Sequence, residues 1–93
     1  MANINVVDYR MTLHRAGSSD ISFEISDEDN TNAVKYYGYL AYNGSWLIMQ
    51  WDTNNGTYRY AAGKAATLAY ATAWTGRGGL TYGYYSALVG SQI

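Results

Sequence analysis

Between residues 4 and 15 apolar and polar positions alternate, with Val7, Tyr9, Met11 and Leu13 separated by Val6, Asp8, Arg10, Thr12 and His14. A period of two over that length predicts a β-strand. Ala16, Gly17, Ser18, Ser19 and Asp20 form a turn cluster, after which Ile21, Phe23 and Ile25 alternate with Ser22, Glu24 and Ser26. Residues 1–27 are therefore expected to make a hairpin with one dry face, suited to covering another sheet.

Residues 34–62 carry the densest aromatic pattern and two Asn-Gly steps, Asn43-Gly44 and Asn55-Gly56, which are strong hairpin signals. They predict a three-stranded meander. A two-residue loop at Asn43-Gly44 would set Leu40 opposite Leu47, Gly38 opposite Met49 and Tyr36 opposite Trp51, with Tyr37, Tyr39, Trp46 and Ile48 on the other face. Closing the second hairpin in the same way would place Trp51 opposite Tyr60 and Asp52 opposite Arg59, whereas a four-residue loop over residues 53–56 would lose that charge pair. Both faces of the meander are apolar, more than a sheet wet on one side requires. Coverage within the chain, an identical subunit and a ligand are the possible explanations.

After Ala62 the pattern changes. Gly63-Lys64 ends the last strand, and the alanine-rich run over residues 65–73 fits either a short helix or an extended cover strip. Residues 74–79, Trp-Thr-Gly-Arg-Gly-Gly, read as a mobile loop. Leu80, Tyr82 and Tyr84 alternate like a strand leading into a terminal turn. The expected fold is all-β: a small antiparallel sandwich or barrel of about five to six strands. It is one domain made of a hairpin (1–27), a meander (34–62) and an irregular or short-helical cover segment (63–93).

Composition narrows the chemistry. With 93 residues, no cysteine and one histidine, the chain has neither a disulfide framework nor a multi-histidine metal site. Its core is modest, and small domains of this kind often gain stability by oligomerising. A net charge of −1 gives no global attraction to nucleic acid or anionic lipid. No run is long enough for a membrane helix, and the first residues lack a signal-peptide pattern, so synthesis in the cytoplasm is expected, with incorporation into a virus particle open. Asp27, Asp29 and Thr31 are spaced like the start of a calcium loop, but Asn32 replaces its glycine and Gly38 its closing glutamate. His14, Asp20 and Ser18 or Ser19 supply the residue types of a triad, but His14 falls on a polar strand face. Gly76-Arg77-Gly78-Gly79 lacks the lysine and hydroxyl of a phosphate loop. Neither catalysis nor a cofactor is expected.

Binding remains. Eleven tyrosines and three tryptophans exceed what one small core needs, and aromatic surfaces serve subunit contacts, sugars or bases. The candidate interface or ligand residues are Tyr37, Tyr39, Trp46, Ile48, Arg59, Trp74 and Arg77. Tyr-Gly-Tyr-Leu from Tyr37, Asn-Gly-Ser-Trp-Leu-Ile-Met from Asn43, Tyr-Arg-Tyr-Ala-Ala-Gly from Tyr58 and Ala-Trp-Thr-Gly-Arg from Ala73 to the Leu-Thr-Tyr ending at Tyr82 resemble short proteins encoded in tailed-bacteriophage genomes. That resemblance implies a protein of the virion or tail region and assigns no functional residue. The expected function is a structural or adhesive one in a homo-oligomer or with other virion proteins. A carbohydrate-binding module is the alternative, and a single-stranded nucleic-acid binder a second.

Overall fold

A computed structural model of the chain describes residues 10–13 and 21–87. The turn cluster at 16–20, His14 and the end of the chain beyond residue 87 lie outside the described residues. Strands β1 (Arg10–Leu13), β2 (Ile21–Asp29), β3 (Val34–Ala41), β4 (Trp46–Asp52) and β5 (Thr57–Gly63) form one antiparallel sheet in the order β1-β2-β3-β4-β5. The all-β class and hairpin construction stand, with a five-stranded count and a short-helical C-terminal segment. The first hairpin extends the meander edgewise rather than lying over it, because β2 pairs with β3 from Phe23↔Ala41 to Asp29↔Tyr36.

The register of the meander differs by one residue from the two-residue loop expected at Asn43-Gly44. Leu40 faces Trp46, Tyr39 faces Leu47 and Tyr37 faces Met49. The loop holds three residues, 42–44: the Gly44 N–H donates to the Ala41 carbonyl (3.0 Å), and the Ala41 N–H donates to the Ser45 carbonyl (2.9 Å). A type I′ turn needs positive φ at two residues. Here only Gly44 supplies it, at 89°, while Asn43 uses its side-chain oxygen to accept the Ser45 N–H at 3.0 Å. One residue of slip exchanges the faces. Tyr37, Tyr39, Ala41, Leu47 and Met49 join Phe23 in one buried cluster, and Trp46 and Ile48 join Ala61 and Ala73 in the other.

The second hairpin takes the four-residue loop. Asp52 pairs with Thr57 and Gln50 with Arg59, so the Asp52–Arg59 contact is lost. The Asp52 carboxylate instead accepts the N–H groups of Asn54 (3.0 Å) and Asn55 (3.2 Å) and the Asn55 side-chain amide (2.8 Å), closing the loop on itself. Trp51 still meets an aromatic partner, stacking on Tyr58 with ring centroids 5.5 Å apart.

β2 contains a bulge. Ile25 pairs with Tyr39 and Asp27 with Gly38, leaving Ser26 as the extra residue. An added residue reverses the alternation of everything after it, so Asp27 and Asp29 share a face with Tyr36 and Gly38 instead of with Phe23 and Ile25. The expected hairpin ended at residue 27 and the expected meander began at residue 34. The structure ends the strand at Asp29 and leaves residues 30–33 as the connection, tied by Lys35 Nζ donating to the carbonyls of Asn30 (2.8 Å) and Asn32 (3.0 Å). No cluster of three metal-ligating side chains occurs among the described residues.

The C-terminal segment crosses the Trp46 face. A turn at 64–68 leads into helix α1 (Tyr70–Thr75), a 3₁₀ turn (Arg77–Gly79) and a second short turn (Tyr85–Ala87). Helix α1 packs straight onto β3 at Gly38, where an added Cβ would strike the Tyr70 hydroxyl and approach the Trp74 ring to 3.0 Å.

These glycines differ in what they do, and substitution should separate them in urea unfolding. Gly56→Ala, at φ 67° with open space around it, should cost about 1–2 kcal/mol from left-handed strain alone. Gly44→Ala, which adds a 2.9 Å approach to Ala65 Cβ, should cost more. Gly38→Ala, which displaces the helix, should cost the most.

Candidate functional site

The covered face is organised by two acids on β2. Tyr70 of α1 donates its hydroxyl to Asp27 Oδ2 at 2.7 Å. Arg77 forms an ion pair with Asp29, Nη2 to Oδ2 at 2.8 Å, with Nε at 3.3 Å from the same oxygen. The same guanidinium donates Nη1 to the Trp74 carbonyl at 2.7 Å, lies 4.4 Å from the Trp74 ring centroid and 5.7 Å from that of Tyr36. The segment expected to be a mobile loop is thus the most heavily tethered part of the cover: Arg77 accounts for the difference by ending α1 and binding the sheet.

The tethers set the ionisation of the face. Arg77's hydrogen bonds, and then its charge, hold the Asp29 carboxyl below the usual carboxylate range against some desolvation. Burial, followed by donation to Asp27, raises the Tyr70 hydroxyl far above the ordinary tyrosine value. Burial and the neighbouring Tyr36 do the same for Tyr82.

Beyond this clamp the cover leaves an opening of about 410 Å³ lined by Trp46, Tyr60–Gly63, Thr67, Leu68 and residues 80–83. That volume is in the range of small-ligand sites, roughly 300–1,000 Å³. Its walls are mostly apolar side chains of one cluster: Trp46, Ala61, Leu68, Leu80 and Tyr82. Trp46 is fixed by donation of Nε1 to the Leu68 carbonyl at 2.7 Å and lies directly over Gly63. Beside the groove Tyr84 is 66% exposed, with the Arg59 guanidinium 4.4 Å from its ring centroid. Tyr42, at the tip of the first meander turn, is 95% exposed.

Of the residues singled out from sequence, Tyr37, Tyr39, Trp46 and Ile48 are buried, so none offers a ring or side chain at the surface of this chain. Only Trp46 adjoins the groove. Trp74 and Arg77 belong together in the clamp, while Arg59 sits apart from them with Tyr84. Sequence reasoning missed Leu68, Leu80 and Tyr82 as groove walls, although the Leu80–Tyr82–Tyr84 alternation carried the signal. It also missed Tyr42, which the two-residue register would have placed in a strand. No protein-family model, curated protein or solved structure matches the chain.

The clamp makes stability depend on pH at both ends. A depressed carboxyl contributes stability that is present above the unfolded value and lost as pH falls through the native one; raised tyrosines contribute below ~pH 10 and lose it as pH rises. The urea midpoint should be flat near neutrality and fall at both extremes. Asp29→Asn should lower the midpoint at pH 7 and lessen the acid fall. Tyr70→Phe should cost about 1.5–3 kcal/mol at pH 7 for a hydrogen bond to a charged group and lessen the alkaline fall.

Proposed function

We propose that the chain is a non-enzymatic structural or adhesive component of a larger assembly, such as a phage virion or tail, and that it acts by contact between copies. The observation carrying this reading is an open apolar groove on a domain that also presents a tyrosine, Tyr42, almost wholly to solvent on a hydrogen-bonded turn. An apolar hollow and an exposed aromatic knob on different parts of one surface are the elements of a heterologous contact, in which the knob of one copy enters the hollow of the next. Such contacts close into rings or continue as filaments. The aromatic excess by itself no longer argues for an interface, because two buried clusters absorb most of it. The groove and the exposed tyrosines support the reading in its place.

A glycan-binding alternative moves to Tyr84. That ring is exposed with the Arg59 guanidinium over it, and it is followed by Tyr85, itself partly exposed and edge-on to Tyr60, so an aromatic ring and a polar group stand together at the surface. The buried Trp46 and Tyr39 do not serve this reading.

Light scattering over a dilution series tests the first reading. A ring or filament that persists on dilution is expected, and Tyr42→Ser, which removes a side chain with little intrachain packing, should weaken association at least tenfold with an unchanged circular dichroism spectrum. A monomer at every concentration would sink the assembly reading. Glycan-array binding that Tyr84→Ala abolishes would then support the alternative.

A further inference from the structure

Among the described residues the edge of β5 is engaged by a single rung. Tyr60 donates its N–H to the Gly83 carbonyl at 2.8 Å and accepts the Gly83 N–H at 2.9 Å, an isolated antiparallel bridge. Hydrogen-bonded pairs in an antiparallel ladder recur two residues along each strand. The next pair in this register is Ala62 with Thr81. No backbone hydrogen bond joins them, and both line the groove.

The segment nevertheless has the parity of a sixth strand. The register that pairs Gly83 with Tyr60 sets Tyr82 beside Ala61 and Leu80 beside Gly63, and Leu80, Tyr82 and Ala61 pack in one apolar cluster. Leu80 is extended, at φ −75° and ψ 157°. At the end of β5 the Trp46 indole lies so close to Gly63 that an added Cβ would stand 2.5 Å from Cζ2, and Leu80 packs against the same cluster. At the other end the segment leaves the 3₁₀ turn, whose Arg77 carbonyl also accepts the Tyr82 hydroxyl at 2.7 Å. The Leu80 N–H reaches the Arg77 carbonyl only at 3.4 Å, and Gly78 and Gly79 have open space around them.

We infer that residues 80–83 are a strap that closes over the groove by adding an Ala62–Thr81 rung to the edge of β5. Closure turns the five-stranded sheet into a six-stranded one. The inference builds on the proposed role of the groove, since the closed strap would shut the surface on which a neighbouring copy docks.

Because the chain has no cysteine, an engineered pair reports closure directly. Hydrogen-bonded antiparallel partners stand about 5.5 Å apart at Cα, within the span of a disulfide, roughly 4.4–6.8 Å. In the full chain under mild oxidation, Ala62→Cys/Thr81→Cys should crosslink within tenfold of the rate of Tyr60→Cys/Gly83→Cys, which reports the rung already formed. A slower or absent crosslink overturns the strap. If either variant fails to fold, hydrogen exchange on the unsubstituted chain decides: a Thr81 amide slowed at least tenfold relative to unstructured peptide supports closure, and unprotected exchange overturns it. A crosslinked chain that still self-associates keeps the strap and removes the groove from assembly. A chain that self-associates without crosslinking keeps the assembly and removes the strap.

Discussion

The indole of Trp46 is the piece on which both layers rest. Its ring lies on the bare backbone of Gly63 in the neighbouring strand and its Nε1 is bonded to the Leu68 carbonyl, so one side chain joins β4, β5 and the start of the cover. A glycine at position 63 permits the close approach, and the approach removes the indole from water without leaving its donor unsatisfied. Ile48, Ala61 and Ala73 complete the cluster. All are small or compact, so the helix can sit close to the sheet, and the groove begins where they stop.

The second constraint is electrostatic, and it depends on the bulge at Ser26. Without the extra residue, Asp27 and Asp29 would continue on the side of Phe23 and Ile25, among apolar rings. With it, both carboxylates lie under the cover, where Tyr70 and Arg77 reach them. Arg77 satisfies several needs at once: it neutralises an acid, takes up the Trp74 carbonyl at the end of a six-residue helix, and stacks on Trp74. A helix of that length does not hold itself together in isolation. Its fixed position therefore follows from the tethers more than from the helical propensity of its alanines.

The strands, the antiparallel pairing within each hairpin and the meander could be read in the chain, because alternation and Asn-Gly steps are local signals; the edgewise pairing of β2 with β3 could not. Register could not. Asn43-Gly44 fits a two-residue loop and also the last two positions of a three-residue loop; the choice rests on where the Asn43 side chain bonds, and one residue decides which rings face which layer. The four-residue loop at 53–56 was recognisable as an alternative to the Asp52–Arg59 pairing, and the carboxylate of Asp52 settles it by bonding within the loop. The acids of β2 were legible only as a polar run, since a bulge leaves no mark in a hydrophobic pattern. Arg77 was found as a candidate residue but not as a clamp: its partner is 48 positions away. The alternation of Leu80 and Tyr82 was legible, but the groove depended on their long-range packing with Leu68 and Trp46, which has no local signature.

The strand order bears on how the chain comes into being. Each strand pairs with the one before it, so during synthesis the sheet can grow by successive hairpins, every closure spanning a short loop. The cover is different. Tyr70 and Arg77 must find acids 43 and 48 positions earlier, and they leave the ribosome only after the strands they cover. For that interval the face bearing Trp46 and Ile48 waits unroofed, as a nascent surface that chaperones or neighbouring chains can meet first.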